Sequence, residues 1–272
     1  MDDLKKMIYG KQDYYLDFLS KLVGFDTSVI RHGEDGQEGA AQMYMAGFLE
    51  RLGCEVDIFE PDNERMKAYP GYNQGHSYAG RPVVVGTYRG TGGGKSLILN
   101  GHMDTMPSGD LDRWETDPWK MTERDGRLYG LGTDDMKGGL SALVLALELV
   151  LSMGIKPRGD ILVQSVVDEE GGGNGTLACA DRGYRADGAI IAEGSNLEVF
   201  AANRGAWLVQ ADVEGIPIHA SLKGFGVNAI DKMTKVIDSL RELETKWMTS
   251  PSGSAHNQYW LHRRRGCCLH GG

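Results

Sequence analysis

Two polar side chains directly follow a short apolar segment in the first half of the chain. His102 and Asp104 come after the apolar residues 97–99 and an Asn-Gly break. Residues two apart in an extended chain point the same way, so we expect these two side chains to face one side. A neutral imidazole is the commonest metal ligand, and a neighbouring carboxylate can fix its tautomer. This segment alone fits a metal site and a hydrogen-bonded histidine in a strand-end turn equally well.

Further carboxylates stand where predicted strands end or predicted helices begin. Asp134 and Asp135 precede a helix that is predicted by the apolar spacing of residues 140–151. One aspartate would suffice to cap that helix, which leaves the second one unexplained. Three adjacent acidic residues, 168–170, and later Glu193 directly follow apolar segments that predict buried strands. A solvated loop is the simplest alternative for the three neighbouring carboxylates, because they repel one another.

The predicted elements give these polar residues a common location. Three apolar strands alternate with helices, a pattern that predicts an α/β fold with a mostly parallel sheet flanked by helices. Ligand sites in such sheets lie at the carboxyl ends of the strands. Several carboxylates that meet there require cations to offset their repulsion. One imidazole with several oxygen ligands suits two zinc ions or similar ions, which one carboxylate can bridge. We therefore prefer a metal centre to a coincidence of polar strand ends.

Four motifs in this order resemble those of a known family. They are residues 101–105 (Gly-His-Met-Asp-Thr), residues 129–139, residues 168–172 and Glu193. Together they resemble the dinuclear-zinc aminoacylase and exopeptidase family, which includes acetylornithine deacetylase, succinyl-diaminopimelate desuccinylase, glutamate carboxypeptidase and aminoacylase. The resemblance covers roughly residues 15–247 and implies a zinc-exopeptidase-like catalytic domain.

The resemblance assigns four residues of this chain to two divalent metal ions. His102 and Glu193 would bind one ion, and Glu170 would bind the other. Asp135 would bridge the two ions, and the peptide bond between Asp135 and Met136 would be cis. Zinc is the expected metal, with cobalt as the alternative.

The resemblance also assigns residues to the chemistry beside the metals. Asp104 would orient His102, and Glu169 would be the general base that takes a proton from water and later gives it to the leaving nitrogen. His219 matches a histidine that, in the family, reaches the site of a partner subunit and helps to hold the oxyanion. The alternative for His219 is an ordinary surface histidine beside a helix cap.

Three segments are predicted along the chain. Residues 1–204 form the catalytic domain, and residues 205–250 form a partial α+β lid or dimerisation domain, in which an alternating strand over residues 207–213 precedes a helix. Residues 251–272 are an atypical tail, expected to be disordered. The resemblance stops after Trp247, so we expect a truncated chain that lacks the last metal-binding histidine of the family. Three tail histidines, with no supporting spacing, are the alternative ligands: His256, His262 and His270.

Composition excludes several classes of partner. The net charge of −9 disfavours nucleic acids and anionic membranes as partners. The chain has no apolar segment at its N-terminus that resembles a signal peptide, and its four cysteines show neither a disulfide framework nor zinc-finger spacing. We therefore expect a reduced, cytoplasmic protein that acts on a small molecule. The resemblance implies a family homodimer formed through the lid, of which this chain has only a part.

A glycine-rich segment offers a different function, that of a nucleotide hydrolase. Residues 90–96 (Gly-Thr-Gly-Gly-Gly-Lys-Ser) look like a phosphate-binding loop. A phosphate-binding loop leads into a helix, however, whereas the apolar residues after this segment predict a strand. The segment is better explained as the loop of a hairpin.

The sequence thus predicts a metal-dependent hydrolase that cleaves the amide bond of an N-acyl amino acid. Acetylornithine deacetylase and succinyl-diaminopimelate desuccinylase are the expected classes. The alternatives are a dipeptidase, tripeptidase or carboxypeptidase of the same family, or a non-catalytic metal-binding fragment.

Overall fold

The computed structural model describes residues 2–29, 36–200 and 210–248. The chain divides into two compact units, Met1–Ala201 and Ala202–Gly272. The helices are α1 (Asp2–Tyr9), α2 (Gln12–Val23), α3 (Gly39–Arg51), α4 (Asn63–Met66), α5 (Lys137–Ser152), α6 (Asn174–Asp181) and α7 (Ala229–Met248). The strands are β1 (Glu55–Phe59), β2 (Val83–Tyr88), β3 (Leu97–His102), β4 (Thr122–Arg124), β5 (Arg127–Tyr129), β6 (Ile161–Val166) and β7 (Gly188–Ile191).

The first unit is built on a five-stranded sheet in the order β1-β2-β6-β3-β7. Strands β6, β3 and β7 are parallel, as the alternation with helices predicts, and the α/β class is confirmed. Strands β1 and β2 run antiparallel to their neighbours, so the sheet is mixed rather than mostly parallel. Parallel neighbours need a crossover connection, usually a helix. Only the four-residue helix α4 lies between β1 and β2, and no such crossover forms there.

Helices cover both faces of this sheet. Alternate residues of β2 point to opposite faces, so that Val84 packs with side chains of α2, α3 and α5 while Val83 and Val85 pack beside α4 and α6. Helix α5 has the wide apolar face that the spacing predicts, and Leu140 and Val144 on it are fully buried. The core therefore holds the start of α5 against the sheet.

The glycine-rich segment is not a hairpin loop, because β6 lies between β2 and β3. The N–H groups of Thr91 and Gly92 donate to the carbonyls of Pro157 and Arg158, in the segment before β6. A Cβ on Gly94 would lie 2.5 Å from the backbone nitrogen of Gly159. The glycines therefore allow two backbone segments to approach closely. The segment leads into strand β3, whereas a phosphate-binding loop leads into a helix.

The second unit contains the predicted helix as α7, preceded by a short 3-10 helix, Ala220–Phe225. Of the predicted strand, residues 207–209 lie outside the described residues, and residues 210–213 have no regular structure. The predicted tail, with its three histidines, also lies outside the described residues. No helix within the described ranges is both long and apolar enough to cross a membrane.

Candidate metal centre

His102 lies at the carboxyl end of β3 with its imidazole fully buried. Its Nδ1 is 2.8 Å from the backbone carbonyl oxygen of Asp104. A carbonyl oxygen only accepts hydrogen bonds, so Nδ1 carries a proton, and Nε2 is the nitrogen that a metal ion could bind. Nε2 lies 3.0 Å from Asp135 Oδ1, 3.6 Å from Glu193 Oε1 and 3.7 Å from Glu169 Oε2. Nε2 of His102 thus faces three carboxylates.

The carboxylate of Asp104 holds the backbone of the two glutamates that follow β6. Its oxygens accept the N–H groups of Glu169 at 3.2 Å and Glu170 at 3.0 Å. The Asp104 carboxylate lies 3.5 Å from His102 Nδ1, whereas the Asp104 backbone carbonyl lies 2.8 Å from the same nitrogen. Burial raises the pKa of the Asp104 carboxyl to about 6. Asp104 therefore contacts the predicted ligand mainly through its backbone and the predicted base through its side chain.

Asp135 stands just before α5, and its peptide bond with Met136 is cis, as the resemblance implies. The Met136 side chain is fully buried, whereas the Asp135 carboxylate is exposed. The buried start of α5 therefore anchors this turn while its carboxylate faces His102.

Two groups of side chains among the described residues have the geometry to bind a metal ion. One consists of His102, Asp135 and Glu170, and the other of His102, Glu169 and Glu193; in each, the ligand atoms lie within 4.8 Å of one another. Burial raises the pKa of Glu170 to about 7, and repulsion from Asp135 adds to this. Burial and then Asp135 also raise the pKa of Glu193.

This donor set fits divalent metal ions. An imidazole surrounded by carboxylates that repel one another is an arrangement that bound cations would stabilise. The structure brings together all the residues that the sequence analysis placed here: His102, Asp104, Asp135, Glu169, Glu170 and Glu193. Which glutamate binds metal and which one accepts a proton stays a prediction.

His219 lies in the second unit and is exposed. Its Nδ1 accepts the backbone N–H of Ser221 at 3.3 Å and lies 2.8 Å from the hydroxyl of the same residue, at the start of the 3-10 helix. This is the helix-cap geometry of the alternative explanation. A role for His219 at an oxyanion stays a prediction.

Sequence reasoning missed a set of buried polar residues behind the two glutamates. Asp168, which a solvated loop would have exposed, is only 1% exposed and hydrogen-bonds to Tyr78. Arg81 forms a two-fold hydrogen bond with Glu38, and both side chains are buried. Lys137, inside one of the four motifs, donates to the carbonyl of Phe25 at 2.9 Å, and burial lowers its pKa to about 8. Asp168 and Lys137 lay in motifs that the sequence had marked, whereas Tyr78, Arg81 and Glu38 did not.

Comparison with known proteins places the same segments in one family. A family model described as Peptidase family M20/M25/M40 matches residues 98–269. The match continues past Trp247, where the sequence analysis ended the resemblance, so that limit was placed too early.

Two similar proteins are N-formyl-4-amino-5-aminomethyl-2-methylpyrimidine deformylases. The one from Bacillus subtilis (strain 168) is 36% identical over 257 residues, which cover 90% of this chain and 55% of that protein. The one from Halalkalibacterium halodurans is 37% identical, over 78% of this chain and 48% of that protein. A probable succinyl-diaminopimelate desuccinylase from Staphylococcus aureus (strain MRSA252) is 37% identical over 55% of this chain and 37% of its own length. The chain thus spans about half the length, or less, of these curated relatives.

Solved structures share the fold at low sequence identity. Human carnosine dipeptidase 1 matches with a TM-score of 0.56 and 23% identity, covering 70% of this chain and 40% of that one. A tripeptidase from Staphylococcus aureus matches with a TM-score of 0.53 and 22% identity, covering 82% of this chain and 55% of that one.

Proposed function

Because the chain belongs to the peptidase family M20/M25/M40, we propose that it is a metal-dependent hydrolase that cleaves an amide bond in a small N-acylated substrate. The observation that carries the proposal is the convergence of His102 with carboxylates from three separate loops. Those loops precede α5 or follow β6 and β7, at the sheet edge where α/β enzymes bind ligands.

We assign the metal ions to the residues that the resemblance implies. His102 Nε2 and Glu193 would hold one ion, Glu170 would hold a second, and Asp135 would contribute to both. Bound zinc or a similar divalent ion would polarise the scissile carbonyl and lower the pKa of a water molecule. The hydrogen bond from Nδ1 to the Asp104 carbonyl keeps a proton on Nδ1, so that Nε2, which faces Asp135 and Glu193, is the nitrogen that would bind metal.

Glu169 is the proposed general base. Its carboxylate is about half exposed, so substrate and water can reach it, while its backbone N–H is fixed by Asp104. Glu169 would take a proton from the attacking water and deliver it to the nitrogen of the leaving amine. Glu169 and Glu170 are adjacent in a turn, and their carboxylates belong to different groups around His102, so they can serve different roles.

The substrate that we propose first is an N-formylated aminomethylpyrimidine. The deformylase relatives share 36–37% identity across 78–90% of this chain, a longer match than that of the desuccinylase relative. N-succinyl-diaminopimelate and N-acetylornithine are the second class, and short peptides are the third. We also propose that the protein forms a homodimer through the second unit and that it is located in the cytoplasm.

The test measures amine release by the zinc-loaded chain from these three substrate classes. We expect turnover of the formyl compound to exceed that of the others, and we expect Glu169→Gln to lower it by about 10²-fold or more, within the usual range for a proton-transfer group. Glu123→Gln, on an exposed strand of the small hairpin, is the matched control and should leave the rate unchanged. Zinc binding without turnover of any class would favour the non-catalytic alternative.

A further inference from the structure

Buried polar side chains from one loop surround Asp168, the residue that precedes the proposed base. Asp168 Oδ2 accepts the hydroxyl of Tyr78 at 2.7 Å, and Oδ1 lies 3.0 Å from His76 Nδ1. Arg81 Nη2 lies 3.7 Å from the same Oδ1. All four side chains are at least nine-tenths buried, so water competes little for these contacts.

The backbone of Asp168 shows why it needs such partners. Its φ is +64°, in the left-handed region that residues other than glycine seldom occupy. The chain reverses there, and the Asp168 carbonyl accepts the N–H of Gly173 at 2.8 Å. A conformation of this kind persists when the surrounding structure holds it in place. The contacts with Tyr78 and His76 supply that restraint.

The same loop also holds the far side of the turn. The Asn73 side chain donates to the carbonyl of Gly171, and its backbone N–H donates to Asn174 Oδ1 at 3.0 Å. Asn174 Nδ2 donates in turn to Tyr78 Oη at 2.6 Å, which closes a ring of hydrogen bonds. A Cβ on Gly171 would collide with the Asp168 carboxylate, so the turn has no spare space.

We propose that Asn73, His76, Tyr78 and Asp168 form a clamp that positions the backbone of Glu169 and Glu170. The clamp holds the residues on either side of this pair, while the Asp104 carboxylate accepts the N–H groups of the pair itself. These four are positioning residues, because none of them is among the side chains grouped around His102. The inference rests on the proposed function only where it names Glu169 as the base.

The test is hydrogen exchange at the backbone amides of Glu169 and Glu170 in the metal-free chain, followed by NMR. Tyr78→Phe removes the hydroxyl that joins Asp168 to Asn174, and we expect both amides to exchange about tenfold faster or more. Tyr72→Phe is the matched control: it removes a hydroxyl from the same loop that bonds to Asn63 instead, and it should leave both amides protected.

Three results would overturn the clamp. The first is that amide exchange at Glu169 and Glu170 is the same in Tyr78→Phe as in the unaltered chain. The second is that exchange at Leu162 and Val163 in β6 accelerates as much as exchange at the two glutamates, which is the signature of general destabilisation. The third is that Tyr72→Phe accelerates exchange at the two glutamates as much as Tyr78→Phe does. Asp168→Asn serves as the second variant if Tyr78→Phe does not fold, since it keeps one acceptor for the Tyr78 hydroxyl. Asp168→Asn should accelerate exchange at the amides of Glu169 and Glu170 less than Asp168→Ala does, because the alanine keeps no acceptor.

A second measurement separates the clamp from the proposed function. Zinc affinity of Tyr78→Phe should fall by about 10–100-fold, the usual effect of residues that orient ligands, and turnover should lose kcat with little change in KM. If the unaltered chain bound no zinc, the proposed function would fail, and the exchange rates would still decide whether the clamp exists.

Discussion

The imidazole of His102 donates its Nδ1 hydrogen bond to the backbone carbonyl of Asp104 at 2.8 Å, while the Asp104 carboxylate lies 3.5 Å from the same nitrogen. Asp104 therefore serves two neighbours with two different groups. Its carbonyl fixes the tautomer of the proposed metal ligand, and its carboxylate fixes the backbone of the proposed base.

This division of roles predicts the effect of Asp104→Asn. The carbonyl remains, so His102 should keep the proton on Nδ1, which ¹⁵N NMR of the imidazole reports. An asparagine amide has only one acceptor oxygen for the two N–H groups of Glu169 and Glu170, so zinc affinity should fall by about 10–100-fold. Movement of the proton to Nε2 would contradict the assignment of the carbonyl as the orienting group.

The metal site predicts that zinc binding requires the buried imidazole. His102→Ala removes the one nitrogen shared by both ligand groups, so calorimetry should show loss of the tight binding seen for the unaltered chain. His219→Ala, which changes an exposed histidine of the second unit, should leave the binding isotherm unchanged. Equal zinc affinities for the unaltered chain and His102→Ala would refute the site.

Metal affinity should depend on pH through Glu170. Its pKa of about 7 means that the metal-free chain holds a proton there at lower pH, and a cation must displace that proton. Zinc affinity should therefore rise as the pH increases from 6 to 8, with proton release visible when calorimetry is repeated in buffers of different ionisation enthalpy. Glu170→Gln should bind zinc more weakly and release fewer protons. The same proton release from both proteins would contradict this source of the pH dependence.

The buried ion pair between Glu38 and Arg81 should contribute strongly to stability. Both side chains are at most 1% exposed, and Arg81→Met leaves the Glu38 carboxylate buried without its partner. Loss of one member of such a pair costs about 3–5 kcal/mol of the free energy of unfolding, measured by urea denaturation. Arg89→Met, which breaks an exposed pair with Glu55, should cost less than about 1 kcal/mol. Similar losses for the two variants would show that burial does not govern the effect.

The site could be predicted from the sequence because its residues follow periodic segments. Strands β3 and β6 and helix α5 have apolar patterns that fix where each element begins or ends, and the parallel pairing then brings their ends together. His102 and Glu169 were thus located without any knowledge of distances.

The residues behind the site could not be predicted in this way. Residues 60–81 have no helical or alternating pattern, and their contacts join residues far apart in the chain. Tyr78 meets Asp168 at a separation of 90 residues, and Arg81 meets Glu38 at a separation of 43. Local propensity has no bearing on such pairs, because only the folded sheet brings them together. The antiparallel direction of β1 and β2 could not be predicted for a related reason, since strand direction depends on the path of the connection.

Strand β7 forms one end of the five-stranded sheet, and its Ile190 and Ile191 are 49% and 58% exposed. Within the described residues, no other strand pairs with its outer edge. An exposed apolar edge strand offers unpaired N–H and C=O groups to other chains, which is a common route to self-association. The light scattered per unit of protein concentration should therefore increase as the protein concentration rises. Ile190→Lys should reduce this scattering, whereas Ile155→Lys, an equally exposed site outside the sheet, should not. Colloidal behaviour, and with it the concentration at which zinc binding can be measured, would thus depend on one four-residue strand.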